Sequence, residues 1–400
     1  MNFDYDLLIV GGSLVGGSLA LALKGLPLRI AVIESIPDRQ RIESAAGDRA
    51  LALSFGSVQV LRQLGVWDQV KLKATPIRHI HVSDRGHFGK VRMSAEKEGV
   101  PALGYVATAR VLEQAICEQL GHSGIDVICP ARLMGVDAGN QGVHVSLKRG
   151  EESITLSARL LVGSDGGNST VRTLLGIGQH IHDYGQAGIV TEVTTAKANR
   201  FTAYERFTSS GPLAFLPMGP KRSSVVWTQT HEDAQDLLAE SDDTFRDRLQ
   251  SSFGWWLGRI SLASSRQAFP LKLIRAEKMA AERVVLIGNA MHQLHPVAGQ
   301  GFNLGLRDVA LLAEMLAAKM AFSGDIGERE FLEMYAQARL TDLSAVVQFT
   351  DSMVGIFSND FMPVAAARNL GLLAVDHCAY AKRMLTQYAM GLWGRVPRFN

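Results

Sequence analysis

The residues whose types and spacing first indicate chemistry lie in the turn Gly11-Gly12-Ser13-Leu14-Val15-Gly16, between an apolar run and a helical pattern. Glu34 ends the next apolar run, 18 residues after Gly16. Free N–H groups at a helix start stabilise a pyrophosphate, and a carboxylate accepts hydrogen bonds from a ribose diol. This succession predicts a dinucleotide site rather than a purely structural turn. Ser13 replaces a glycine of the usual pattern, and its hydroxyl is predicted to donate to the phosphate.

Two later segments also place glycines directly after apolar strands. The first is Gly163-Ser164-Asp165-Gly166-Gly167, for which a structural Asp-Gly turn with Ser169 capping a helix is the open alternative. The second begins at Gly288-Asn289-Ala290-Met291-His292 and continues through Pro296 to Gly299-Gln300-Gly301-Phe302-Asn303, where a long helix starts. The N–H groups and dipole of that helix would stabilise negative charge, and a glycine-rich helix entry without further use is the alternative.

Other catalytic centres are disfavoured by the sequence. His292 and His295 could supply two metal ligands, but no third ligand follows at a suitable spacing, so no metal is predicted. No Gly-x-Ser-x-Gly elbow occurs, and nothing pairs a serine with a base.

Length, charge and cysteine content set broad limits. The 400 residues, 47% of them hydrophobic, suffice for two or three domains. Lysine and arginine (41) balance aspartate and glutamate (39) without a basic block, so no nucleic-acid surface is expected. Three cysteines without a CxxC pair favour a reducing, cytoplasmic location.

Two apolar stretches raise the question of a membrane. The run from 7 to 23 is shorter than a span and contains turn-forming glycines, so no transmembrane span is predicted. The run from 361 to 393 mixes apolar residues with charges. Packing against the first domain is favoured there, and contact with a membrane surface or a partner is the alternative.

The pattern along the chain predicts two kinds of sheet. Residues 4–34 form a predicted strand–helix–strand unit, which implies a parallel sheet. Alternation over 77–93 predicts a hairpin. The strand predicted at 284–287 resembles those of the first sheet, so the first domain should be discontinuous, with the β-rich middle inserted. The remaining predicted elements are strands at 188–195, 202–207, 213–217 and 223–230, and helices at 54–70, 108–120, 231–253, 302–320 and over most of 328–400.

The three glycine segments, in this order, resemble those of the class A flavoprotein aromatic hydroxylases. In that family the first binds the ADP half of FAD, the segment matched at Asp165 lies near the pyrophosphate and the nicotinamide entry region, and the third contacts the ribityl chain and flavin ring. Asn289 replaces the usual aspartate and brings hydrogen bonding without charge. Gly47-Asp48-Arg49-Ala50-Leu51-Ala52-Leu53 is similar to a segment whose arginine lies beside the flavin, and Arg110 matches a position near the FAD phosphates.

A narrower resemblance covers nearly the whole chain. Residues 294–305 (LHPVAGQGFNLG) resemble the signature of the ubiquinone-biosynthesis hydroxylases. Residues 81–87, 205–208 with 211–214, and 253–255 resemble the branch of that family that acts on 2-octaprenyl-6-methoxyphenol. The implied cofactor is FAD. The implied co-substrate is NAD(P)H, which is expected to visit transiently because no second dinucleotide motif occurs.

The resemblance implies an α/β fold with a Rossmann-like FAD-binding domain, an inserted antiparallel β-sheet substrate domain and a C-terminal helical segment. The FAD-binding domain is expected to comprise residues 1–75, 98–180 and 268–327, the substrate domain 76–97 and 181–267, and the helical segment 328–400. The implied cofactor-binding residues are Gly11, Ser13, Leu14, Val15, Gly16, Glu34, Arg49, Arg110, Asp165, Asn289, Gly299, Gln300, Gly301, Phe302 and Asn303.

The same resemblance implies a monooxygenase in which NAD(P)H reduces FAD, O2 adds at the flavin C4a, and the hydroperoxide hydroxylates a phenol ring. Pro296, Gly299, Gln300 and Gly301 are assigned to the reactive face of the flavin, and no acid or base is assigned. The expected substrate is a polyprenylated (methoxy)phenol of ubiquinone biosynthesis. Its lipid tail would bring the enzyme to the inner face of a membrane and to other ubiquinone-biosynthesis proteins.

Two other functions stay open at this point. A hydroxylase of a small aromatic acid would need an arginine to hold the carboxylate, for which Arg206 and Arg222 are the obvious residues of the middle sheet. A flavin-binding subunit without turnover, which organises a biosynthetic complex, is the third alternative.

Overall fold

The structure, a computed structural model, describes residues 2–293, 300–357 and 362–392. Pro296 and Gly299 therefore lie outside the described residues, as does the first half of the 294–305 signature. The described strands are β1 Tyr5–Val10, β2 Ile30–Ile33, β3 Ala50–Ser54, β4 Thr75–Ile77, β5 His79–Asp84, β6 Lys90–Ser94, β7 Gly104–Thr108, β8 Asp126–Ile128, β9 Arg132–Gly139, β10 Gly142–Arg149, β11 Glu152–Gly163, β12 Gln179–Thr195, β13 Thr202–Thr208, β14 Gly211–Pro217, β15 Arg222–Thr230, β16 Ile260–Leu262, β17 Gln267–Ala276, β18 Ala280–Ala281, β19 Val284–Leu286 and β20 His292–Gln293.

The described helices alternate with these strands in the first half of the chain and dominate its C-terminal part. They are α1 Leu14–Leu23, α2 Asp38–Ile42, α3 Phe55–Gln63, α4 Trp67–Lys71, α5 Ala109–Gly121, α6 Thr170–Leu174, α7 His231–Ala239, α8 Asp242–Phe253, α9 Gln300–Ala321, α10 Arg329–Phe357, α11 Met362–His377 and α12 Ala379–Ala389.

The first sheet has the order β18-β19-β11-β1-β2-β8, and β10 and β9 extend it from β11. Strand β1 pairs in parallel with both β2 and β11, and β19 pairs in parallel with β11. The central strands are apolar on both faces, with Leu7, Leu8 and Ile9 fully buried, because helices such as α1, α5 and α9 pack around them. This sheet confirms the predicted Rossmann-like unit and includes the late strand predicted near 284.

The second sheet has the order β20-β17-β12-β15-β14-β13-β5-β6 and is antiparallel except where β13 pairs in parallel with β5. Its strands alternate in burial. Residues such as Ile189, Phe215 and Trp227 pack against α7 and α8, whereas Val190 and Ala214 line a cavity on the opposite face. The inserted β-sheet of the predicted fold is therefore present, with helices on one face and a cavity on the other.

The helix predicted over 231–253 is two helices. Glu240 has extended backbone, and the Ser241 side chain accepts a hydrogen bond from Thr244 N at 3.2 Å and caps α8. The sequence pattern continues across this break because both helices bury their apolar faces, including Leu237 and Phe245, against the same sheet.

A small third sheet, β3-β7-β4, contacts both larger parts of the molecule. Val106 of β7 packs near Ala203 of the second sheet, while β3 contacts α9. Helices α10, α11 and α12 complete the C-terminal part, so the predicted α/β fold class is confirmed. The residue boundaries proposed for the domains stay a prediction. Among the described residues, no helix combines the length and apolar character needed to cross a bilayer.

Candidate cofactor and substrate site

A continuous cavity of about 1570 Å³ connects the glycine turns of the first sheet with the open face of the second sheet. It begins at the β1–α1 turn beside Gly11 and Glu34, passes Asp165 and Asn289, and extends to the apolar side chains of α11 and α12. Chain segments that are far apart in sequence therefore share one cavity wall.

The β1–α1 turn owes its glycines to close packing. Gly11 has a φ of +96°, and a Cβ there would lie 2.6 Å from the backbone oxygen of Ser164. A Cβ at Gly16 would lie 1.9 Å from the oxygen of Gly11. The Ser164 hydroxyl donates to the oxygens of Val10 and Gly11 at 2.8 and 2.9 Å. The first two glycine segments are thus joined directly, and Gly16 shapes the turn without lining the cavity.

Glu34 lines the cavity and also holds the turn. Its carboxylate accepts hydrogen bonds from Gly12 N at 2.7 Å and from Ile36 N at 2.9 Å. Arg41 Nη1 lies 3.1 Å from the same carboxylate. Glu34 is buried, and these partners offset the cost of removing its charge from water. Its position after β2 was predicted, but its contact with Arg41 was not.

Arg41 and Glu113 are site residues that the sequence analysis did not identify. Arg41 Nε lies 3.2 Å from a carboxylate oxygen of Glu113, and the Ser13 hydroxyl donates to the other carboxylate oxygen. The predicted phosphate donor is therefore already bonded to a buried carboxylate on α5. Glu113 is 72 residues from Arg41 and 100 from Ser13 in sequence, so no local pattern indicates this cluster.

Asp165 lines the cavity and caps α6. Its carboxylate accepts from the Ser169 hydroxyl at 2.6 Å and from the backbone N–H groups of Thr170 and Val171 at 2.6 and 3.1 Å. Ser169 in turn accepts from Arg172 N at 3.0 Å. The capped helix start that was the alternative interpretation of this segment is thus present, and it fixes Asp165 at the cavity wall.

The third segment is held from beneath by a buried ion network. Asn289 is exposed towards the cavity, while the preceding Gly288 N donates to Asp308 Oδ2 at 2.8 Å. Asp308 also bonds His292 Nε2 at 2.9 Å and Arg339 Nε at 2.7 Å. Burial acts to raise the pKa of Asp308, but Arg339 and His292 outweigh it and lower the pKa to about 2. The described partner of His292 is therefore a carboxylate of α9.

The beginning of α9 reaches both the cavity and the small third sheet. Gly301 and Phe302 line the cavity, and a Cβ at Gly301 would meet nothing within 4 Å. The Asn303 amide donates to Ala52 O at 2.9 Å, and its oxygen accepts from Ser54 N at 2.9 Å. Asn303 thus fastens β3 to α9. Gln300 starts the helix, and its side chain is outside the described residues.

The two predicted arginines differ in position. Arg49 lines the cavity, and burial lowers the pKa of its guanidinium although Glu113 opposes the shift. Arg110 does not line the cavity. It pairs with Asp48 at 2.8 Å and donates to the backbone of Ile42, so it supports the segment before Arg49. The predicted cofactor residues that line the cavity are Gly11, Ser13, Leu14, Val15, Glu34, Arg49, Asp165, Asn289, Gly301, Phe302 and Asn303.

The wall formed by the second sheet is mainly apolar. One row across the strands consists of Val82, Glu205, Ala214, Val226 and Val190, all of which line the cavity. Glu205 is the carboxylate in this row, and burial raises its pKa to about 7. No role was predicted for Glu205, because its neighbour Val82 comes from β5, more than 100 residues away in the chain.

The chain that forms this fold is an FAD-dependent monooxygenase. The family model described as FAD binding domain matches residues 4–350, and the chain belongs to this family and to the class A ubiquinone-biosynthesis hydroxylases within it. The alternative of a flavin-binding subunit without turnover is accordingly set aside.

Named relatives agree with this assignment. The chain is 38% identical to ubiquinone hydroxylase UbiL of Rhodospirillum rubrum, over 96% of this chain and 89% of that protein. It is 31% identical to 3-demethoxyubiquinol 3-hydroxylase of Escherichia coli, over 98% and 100%. The solved structure of p-nitrophenol 4-monooxygenase PnpA from Pseudomonas putida has the same fold, with a TM-score of 0.80, 18% identity and coverage of 99% and 100%.

Proposed function

We propose that this enzyme hydroxylates the ring of a polyprenylated (methoxy)phenol in ubiquinone biosynthesis, with NAD(P)H and O2 as co-substrates. The observation that carries the proposal is the continuous cavity of about 1570 Å³. Its volume exceeds the 300–1,000 Å³ typical of small-ligand pockets, as a site for both a dinucleotide and a lipid-tailed substrate requires.

The residues at the polar end of the cavity fit FAD. A side chain at Gly11 would clash with the turn, and a side chain at Gly301 would project into the cavity. The absence of side chains at both positions suits the close approach of a cofactor. Glu34 and the N–H groups of the turn would hold the ADP half, Asp165 and Arg49 would lie along the middle of the cofactor, and Asn289 would meet the ribityl chain. When bound, FAD supplies the redox chemistry that transfers one atom of O2 to the ring.

The apolar end of the cavity fits a prenyl tail. Leu372 and Val375 of α11 and Leu385 and Ala389 of α12 line it, so a chain of isoprene units would be buried among side chains of matching polarity. On the same helices Leu370 and Tyr380 are exposed. We include in the proposal a cytoplasmic enzyme that meets its substrate at the inner face of a membrane, and contact there with other ubiquinone-biosynthesis proteins.

The positions of the two middle-sheet arginines argue against a small aromatic acid held on the second sheet. Arg206 donates from Nε to Ser252 O at 3.1 Å, and Arg222 pairs with Glu192; neither lines the cavity. Lys272 also lines the cavity, but it lies 3.1 Å from Asp183 and is already paired. A carboxylate substrate would instead meet Glu205, and like charges repel.

The test is NADH and NADPH oxidation by the FAD-loaded enzyme with prenylated methoxyphenols of one to four isoprene units, and with benzoates for comparison. Products are identified by mass spectrometry. The proposal expects a ring-hydroxylated prenyl phenol and tighter binding of prenyl phenols than of benzoates. Peroxide as the sole product across the whole prenyl series would contradict it.

A further inference from the structure

The alternation of β13 directs one carboxyl group into the cavity. Tyr204 packs against Phe253 with ring centroids 5.5 Å apart, and Arg206 donates to Ser252 O, so both lie on the helix-covered face. Glu205, between them, must lie on the opposite face, and it lines the cavity. It is partly accessible only because it faces the cavity interior.

Glu205 has no hydrogen-bond or ion-pair partner within the part of the chain that the structure describes. Its cross-strand neighbours are Val82 on β5 and Ala214 on β14. A carboxyl group among apolar side chains weakens folding when it is ionised, and burial alone raises its pKa to about 7. The other charged or titratable groups that face this cavity are Glu34, Arg41, Arg49, Arg132, Asp165, Lys272 and Tyr388.

The geometry points to Glu205 as the residue that accepts the hydrogen bond, and then the proton, of the substrate's phenolic hydroxyl. This inference rests on the proposed function, since it requires a phenol in the cavity. The small side chain of Ala214 beside Glu205 leaves room for an aromatic ring. The other residues of this cross-strand row, Val82, Val226 and Val190, have no polar side chain that could bond the phenolic hydroxyl instead.

The proton transfer is balanced in charge and atoms. The phenolic O–H bond breaks, an O–H bond forms on the Glu205 carboxylate, and the electron pair stays on the phenol oxygen. A free phenol has a pKa of about 10, so a base inside the cavity is needed to make the ring electron-rich near neutral pH. The proton returns to the oxygen when the hydroxylated ring carbon releases its own proton to water.

The first test measures binding without turnover. A geranyl methoxyphenol and its O-methyl ether are titrated into the FAD-loaded enzyme between pH 5.5 and 8.5. The ether cannot donate a hydrogen bond, so wild type should come to prefer the phenol by about tenfold as Glu205 ionises around pH 7. Glu205→Gln should show a small preference that does not change with pH. A pH-dependent preference retained by Glu205→Gln would overturn the inference.

Matched variants separate this role from a structural one. Glu192→Gln makes the same change on β12, where the carboxylate pairs with Arg222 and does not line the cavity; it should behave as wild type. Glu205→Asp keeps a titrating group, so it should keep the pH dependence with weaker turnover. In Glu205→Gln, kcat should fall about 100-fold or more with FAD content unchanged.

The outcomes distinguish the two proposals. Wild-type enzyme that hydroxylates no prenyl phenol but still shows the pH-dependent preference would contradict the proposed function and leave the position of Glu205 supported. If wild type hydroxylates prenyl phenols and Glu205→Gln keeps the wild-type pH profile of kcat, the proposed function is retained and the role of Glu205 is refuted.

Discussion

A carboxyl group that faces apolar side chains affects stability as well as chemistry. Because the pKa of Glu205 is about 7 in the folded chain and 4.5 when unfolded, the folded state binds this proton more tightly. The cost is absent below pH 4.5 and grows as the pH rises through 7. At pH 8 Glu205→Gln should therefore be more stable than wild type by about 1–3 kcal/mol, allowing for water in the cavity, and at pH 4.5 the two should be equally stable. An equal difference at both pH values in thermal unfolding would contradict this.

Glu34 affects the cofactor end of the cavity in a different way. Glu34→Ala removes the acceptor for Gly12 N and one partner of Arg41, so the glycine turn loses its support as well as its carboxylate. We expect FAD to bind about tenfold more weakly, the scale of a hydrogen bond to a charged group. Retained flavin after dialysis is the measurement. Glu43→Ala, at an exposed position directly after α2, is the control and should keep its flavin.

Some of these residues were predictable and others were not. Glu34 and Asp165 follow apolar strands and lie beside glycine turns. A carboxylate in that position is a local sequence signal for a nucleotide-binding site. Arg41 and Glu113 meet only because α2 and α5 pack together, and Glu205 faces the cavity only because three strands align its neighbours. Contacts of this kind depend on tertiary packing, which single-sequence periodicity does not contain.

At the scale of elements, the two glycines at helix starts should respond differently to substitution. A Cβ at Gly16 in α1 would lie 1.9 Å from a backbone oxygen, whereas a Cβ at Gly301 in α9 would meet open cavity. Gly301→Val should leave unfolding nearly unchanged but weaken FAD retention by about tenfold, as overpacking of a filled site does. Gly16→Ala should destabilise the fold itself. Normal flavin content in Gly301→Val would contradict the assignment of this turn to the cofactor.

The network around Asp308 joins α9 and α10 beneath the third glycine segment. Asp308→Asn would leave Arg339 as a buried charge with a weakened partner, at a cost of about 3–5 kcal/mol. Since the pKa of Asp308 is lowered to about 2, its contribution is present above pH 3.8 and is lost as the pH falls through 2. Urea unfolding at pH 7 checks this, with exposed Glu333→Gln on α10 as the control. A loss of less than 1 kcal/mol would refute it.

The elements themselves were largely predictable where hydrophobic periodicity was strong. The β1–α1–β2 unit, the hairpin β5–β6 and α9 all lie close to their predicted positions. The break at Ser241 was missed because α7 and α8 cover one continuous apolar surface, and the parallel pairing of β5 with β13 has no local signature. The bonds of the Asn303 amide to β3 were not predicted; Asn303 also lines the cavity, and its contact with the cofactor stays a prediction.

At the scale of the whole molecule, the cavity length should set the preference for substrate length. Leu372→Trp narrows the end between α11 and α12. We expect kcat/KM to fall about tenfold for phenols with four isoprene units and to change less for one unit, because the proposal places the longer tail against this end. Leu370→Trp on the same helix, at an exposed position outside the cavity, is the control. Equal losses for short and long substrates would argue against this path for the tail.

The pairing of β11 with β19 also has a consequence for synthesis of the chain. Strand β11 is complete at Gly163, but the neighbour that pairs with its last residues, Leu161–Gly163, begins only at Val284. At about 5–20 residues per second the ribosome needs roughly ten seconds to deliver that neighbour. An uncovered strand edge recruits other chains during this interval. Messages truncated before codon 284 should therefore yield aggregated or degraded polypeptide, and full-length yield should respond to chaperones that bind nascent chains.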